Sequence, residues 1–134
     1  MKHTLALVLM VFGISGCLST SPEQLRASGE DFPILLTCET GVLISYITLK
    51  DDGTGSAIFN TNGSQSYIEA AKTEKLWKIR SYELKPNSIA FTIGVFGGFL
   101  MLNRTTAQAS LFSSGGVTND GPCFKGFKEY EKQI

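Results

Sequence analysis

Leu76-Trp77-Lys78-Ile79-Arg80-Ser81-Tyr82-Glu83-Leu84 and, three residues later, Ser88-Ile89-Ala90-Phe91-Thr92-Ile93-Gly94-Val95 decide the fold class of this chain. Side chains on a strand point alternately to its two faces, so a half-buried strand reads apolar–polar with a period of two. The second run alternates without a break and turns Ile89, Phe91, Ile93 and Val95 inward. The first places Trp77 and Ile79 on one face and Lys78, Arg80 and Tyr82 on the other. Its phase fails near residues 81–84, as a bulge would cause. Pro86-Asn87 between them suits a tight turn, because proline presets φ for the first central position.

Working outward, the same pattern recurs. Residues 34–39 are short and apolar, and residues 43–50 turn Leu43, Ser45, Ile47 and Leu49 to one face. Asp51-Asp52-Gly53-Thr54-Gly55 is a hairpin connection to residues 56–60. A second turn over 60–64 leads to residues 66–70, which read as a strand unless a helical turn forms over 69–75. Gly97-Gly98 and Asn103-Arg104 bracket an apolar strand over 99–102, and residues 105–112 form the next. Residues 113–122 (SSGGVTNDGP) read as a loop, and residues 123–130 as a short last strand. Eight or nine short strands with turns every eight to twelve residues predict an all-β fold: a small antiparallel β-barrel or sandwich of about eight strands.

The chain has 134 residues, 43% of them hydrophobic and 18% charged, with 12 basic and 12 acidic side chains and zero formal net charge. That length suits one domain. Nine Phe, four Tyr and one Trp exclude a disordered chain, and the neutral balance gives no electrostatic footprint for nucleic acid.

The N-terminus reads differently. Met1-Lys2-His3 is a short basic start, and residues 5–14 (LALVLMVFGI) are almost unbroken apolar sequence. Ten residues suit a signal-peptide core and are too few for a spanning helix, which needs about 20. Ile14-Ser15-Gly16-Cys17 then follows, and here the chain resembles bacterial lipoproteins, whose lipobox is an aliphatic residue, two small residues and cysteine. The resemblance covers residues 1–17. It implies that Cys17 takes a diacylglyceryl group on sulfur, that residues 1–16 are removed, and that the new amino group is acylated. For a Gram-negative host, Leu18 rather than aspartate in the second position implies the outer membrane, with the domain facing the periplasm. Several acyl chains, each buried CH₂ contributing about 0.8 kcal/mol, anchor a protein stably where one does not. The expected organisation is a signal peptide over 1–16, a lipidated N-terminus and tether over 17–32, and the β domain over 33–134. Within the tether, Ser21, Pro22 and Gln24 form an S-x-x-Q capping box for a short helix that Gly29 can end. Fifteen residues fully extended reach about 50 Å.

With Cys17 lipidated, Cys38 and Cys123 remain as an even pair in an oxidising compartment, and a disulfide between them is expected. It closes a loop of about 85 residues, for which chain entropy gives up to about 4.5 kcal/mol. The alternative is two free thiols, without the C-x-x-C spacing of a redox pair.

Cleavage would remove His3, the only histidine, and with it histidine catalysis, histidine-ligated metals and Ser-His-Asp chemistry. No phosphate-binding glycine motif occurs. The acidic residues lie mostly in turns, the tether and the tail, so catalysis, cofactors and metals are not expected. Three side chains are the candidate contacts for a partner. Arg80 and Tyr82 share an outward strand face, and Tyr and Arg are favoured at interface hot spots. Arg104, in a tight turn after Asn103, could present its guanidinium to a carboxylate or phosphate. Trp77 accompanies Ile79 and is expected in the core.

The layout of lipobox, tether, compact β domain and early and late cysteines also resembles the membrane-bound lysozyme inhibitors of the c-type class. Their Ser-Gly-x-x-Tyr inhibitory loop is missing here: Ser114-Gly115 is followed by Gly116, Val117 and Thr118. No inhibitory residue transfers. The expectation is a lipid-anchored envelope lipoprotein whose non-catalytic domain binds an envelope protein or cell-wall polymer. Lysozyme inhibition, a structural role in an envelope complex and wall hydrolysis stand behind it in that order.

Overall fold

The computed structural model describes residues 19–60, 66–94, 98–113, 116 and 118–129. The proposed signal peptide, Cys17, the turn at 61–65, Gly97, Ser114-Gly115 and the last five residues lie outside the described residues. Nine strands and two short helices follow in the order α1 (Pro22–Ala27), β1 (Ile34–Thr40), β2 (Leu43–Leu49), β3 (Gly55–Asn60), α2 (Tyr67–Thr73), β4 (Leu76–Ile79), β5 (Tyr82–Leu84), β6 (Ser88–Thr92), β7 (Phe99–Asn103), β8 (Gln108–Phe112) and β9 (Thr118–Lys125).

All pairings are antiparallel, and the strands run β4-β3-β2-β1-β9-β8-β7-β6-β5. The two ends of that order, β4 and β5, are consecutive in the chain. They form one bent strand whose first half pairs with β3 and whose second half pairs with β6. The backbone N–H of Gly94, just past β6, donates to the carbonyl of Lys78 on β4 at 2.7 Å and draws the seam together. The sheet thus rolls into a nearly closed barrel and leaves little exposed edge. The phase break expected at residues 81–84 is this bend.

The bend corrects one expectation. Arg80 and Ser81 carry the chain across the seam, so Ile79 and Tyr82, three residues apart, both point into the barrel and are at most 1% exposed. Tyr82 is therefore core, not contact surface, and its hydroxyl donates to the carbonyl of Lys50 at 2.5 Å. Arg80 stays outside. Trp77 is half-buried at the edge of the core, over Gly94, where an added Cβ would lie 2.7 Å from the indole.

Inward residues of successive strands fill the barrel: Leu36 and Cys38, Ile47 and Leu49, Ala57, Ile89 and Phe91, Leu100 and Leu102, Leu111 and Cys123. Each fully buried Leu, Ile or Phe contributes about 1.5–3 kcal/mol. Cys38 and Cys123 stand directly opposite on β1 and β9 and are joined by a disulfide.

The outer face of β2 is buried too. Ile44, Tyr46 and Ile58 are covered by Ala70 and Tyr67 of α2 and by Phe127 of the C-terminal segment. Tyr67 stacks on Phe127 with ring centroids 4.1 Å apart. Tyr67–Thr73 accordingly form a helix, capped by Ser66, where a strand over 66–70 was expected. Residues 118–122, expected in a loop, are the first half of β9 and pair with β8 throughout. Gly121 permits this, since a Cβ there would collide with the carbonyl oxygen of Glu39.

The stretch expected as an extended spacer packs on the barrel from Thr20 onward. Its capping box forms, with the Ser21 hydroxyl accepting from the N–H of Gln24 and the Gln24 side chain accepting from that of Ser21. Leu25, one apolar residue in a polar helix, is fully buried in the barrel core. One side chain was enough because the barrel end supplies the other wall.

Candidate functional site

The barrel has two distinct ends. The β1–β2 turn, the end of β8 and the start of β7 lie at one. The β2–β3, β5–β6 and β7–β8 turns lie at the other, with α1. There the N–H of Thr20 donates to the carbonyl of Tyr82 at 2.9 Å, and its hydroxyl accepts from the N–H of Leu84 at 2.8 Å. This seats Thr20 on the side of β5 that β6 leaves free.

Arg104 follows β7 in a turn built by Asn103, whose side-chain oxygen accepts from the N–H groups of Thr105 and Thr106. Its guanidinium donates to the carbonyl of Lys85 at 2.9 Å and to the carboxylate of Glu30. The carboxylate expected from a partner is supplied within the chain. The pair stands over a cleft of about 760 Å³ floored by Ile34, Leu36, Ile89 and Leu102.

Arg80 meets a different neighbourhood. It shares a groove of about 430 Å³ on the outer face of β3 and β4 with Lys50, Lys78, Ser56 and Leu76. Among the described residues none of Lys50, Lys78 and Arg80 is in an ion pair. Sequence reading found Arg80 and missed Lys50, which lies thirty residues away and arrives through the β2–β3 hairpin. Asp51 and Asp52 are on that same turn, and neither lines the groove. Asp52 accepts from the N–H and hydroxyl of Thr54, which hold its carboxyl below the usual range. Asp51 lines a cleft with Phe32, Pro33, Thr48 and Lys50. Burial pushes the Tyr82 phenol up to about 12, with the charges of Asp51 and Asp52 adding to it.

At the end away from α1, Val42 is 96% exposed at the β1–β2 turn. Gly41 beside it bonds Asp120 of β9, and β9 leads across to Phe112. Phe112 packs against Phe99, and Met101 lies exposed beside them. Three exposed apolar side chains, Val42, Met101 and Phe112, thus lie toward this rim, with the half-buried Phe99 beside Phe112.

Among the described residues no group of three or more His, Cys, Asp or Glu side chains could hold a metal ion, and no helix is long and apolar enough to cross a membrane. No protein-family model matches the chain, and neither does any curated protein or solved structure.

Proposed function

We propose that the protein is a lipid-anchored lipoprotein of the bacterial envelope, held in the outer membrane through Cys17 with its domain in the periplasm. Its barrel is a non-catalytic module that binds an envelope protein or cell-wall polymer. One observation carries this reading. Thr20, three residues from the lipobox cysteine in sequence, is seated on β5 at one end, while Val42, Met101 and Phe112 are exposed toward the other rim. An anchor at one end directs the apolar rim away from the bilayer, toward whatever the module recognises.

The test is crosslinking capture from intact envelopes, with Val42→Ser/Phe112→Ser alongside the parent chain. One dominant partner, lost with the double variant, is the expected result. No enrichment over an unrelated lipid-anchored protein refutes protein binding and turns attention to wall polymers. Cys17→Ala should leave an unprocessed precursor; normal processing of that variant refutes the anchor.

Lysozyme inhibition is the second reading, favoured by the disulfide that joins the early and the late cysteine within one barrel. Undiminished lysis by a c-type lysozyme in the presence of a molar excess of the protein removes it.

A further inference from the structure

We infer that the Lys50–Lys78–Arg80 groove docks onto the anionic phospholipid headgroups of the membrane that holds the anchor. This rests on the lipid-anchor reading of Cys17 and gives the anchored domain a defined orientation.

Two structural facts converge on this. The first is charge. Three cations line one groove, together with Thr54 and Ser56 and the exposed Leu76, and among the described residues no acidic side chain lines it. The nearby acids lie outside the groove: Asp52 is held by Thr54 and lies within the field of Lys50, Asp51 lines a separate cleft to which Lys50 also contributes, and Glu83 pairs with Lys85. A net-neutral protein has thus gathered three cations on one patch, none of them in an ion pair among the described residues.

The second is where Thr20 is seated. The carbonyl oxygen of Thr20 approaches Gly53 of the hairpin that carries Lys50, lying 3.6 Å from where a Cβ would stand. The N–H of Thr20 bonds to Tyr82, two residues after Arg80. Both flanks of the groove therefore meet at Thr20. From there only three residues lead to Cys17, a reach of at most about 11 Å. Screening at physiological salt acts over about 8 Å, so a membrane held this close is felt by the cations of the groove. Each basic side chain near an anionic surface favours the docked state by about fivefold. A fifteen-residue free spacer would have let the domain tumble; a three-residue link does not.

The test uses the full lipidated chain reconstituted into vesicles of phosphatidylcholine alone or with about 30% phosphatidylglycerol. Lysine acetylation is followed residue by residue by mass spectrometry, with Lys72 on α2 as the internal reference. Lys50 and Lys78 should label about fivefold more slowly on the anionic vesicles, with Lys72 unchanged. The difference should vanish at about 0.5 M salt. The exposed substitution Arg80→Glu should restore the labelling of Lys78 without altering the melting temperature. Equal labelling on both vesicle types, with acyl groups found on the Cys17 peptide, overturns the docking and leaves the anchor standing. An unmodified Cys17 peptide overturns the anchor reading and this inference with it. Slowed labelling on phosphatidylcholine alone also overturns it, because charge would then play no part.

Discussion

Thr20 and Tyr82 are joined by a backbone hydrogen bond of 2.9 Å that puts the N-terminal segment on the open side of β5. The bond lies at the place where the barrel would otherwise expose unpaired strand groups. It also makes residues 20–32 part of the domain, with Leu25 as their one deep contact.

Leu25→Ala should therefore destabilise the whole fold, by about 2–5 kcal/mol, and not merely free the N-terminus. Urea unfolding followed by the fluorescence of Trp77 measures this. A change below about 0.5 kcal/mol would show that α1 closes nothing.

The disulfide spans 85 residues, between strands already adjacent in the sheet. Cys38→Ala/Cys123→Ala should lower stability by about 2–5 kcal/mol through the loop entropy it returns to the unfolded chain. The same loss should follow reduction of the parent protein, and reductant should leave the double variant's urea midpoint unmoved.

Arg104 and Glu30 are about a quarter exposed, and solvent screens their charges. A double-mutant cycle with Arg104→Ala and Glu30→Gln should give a coupling of no more than about 1 kcal/mol. Arg104→Ala alone should cost more than Glu30→Gln, because it also strips the Lys85 carbonyl of its donor.

Tyr82 gives alkaline sensitivity. Its phenol is raised to about 12 in the folded protein, from 10.0 as its ordinary value. The folded state therefore keeps its proton where the unfolded chain has lost it. Tyr82 contributes its full stability below pH 10 and loses it as pH rises toward 12, a total of about 2–3 kcal/mol. Tyr82→Phe should cost about 1 kcal/mol at neutral pH, for the hydrogen bond to Lys50, and should flatten the stability profile between pH 10 and 12. An unchanged alkaline slope would place the titration on another group.

Alternation in residues 88–92 and the turn residues at 53 and 86–87 were enough to predict an antiparallel all-β domain, because side-chain period and turn preference are local properties. The helix cap at Ser21 was legible for the same reason. The pairing of Cys38 with Cys123 followed from counting once the lipobox resemblance had set Cys17 aside. Interior and exterior at the bend were not legible. Tyr82 keeps the parity of Lys78 and Arg80 along the chain, and only closure of the barrel turns it inward. Likewise Ile44 and Tyr46 read as the outer face of a strand and are buried by α2 and Phe127, which come from elsewhere in the chain. The groove was half visible: Lys78 and Arg80 share a strand face by spacing, but Lys50 reaches them only because β2 and β3 fold back beside β4. Local periodicity determined the class of fold and its elements. Long-range pairing alone decided which residues share a surface, since that depends on how β4 and β5 close the sheet.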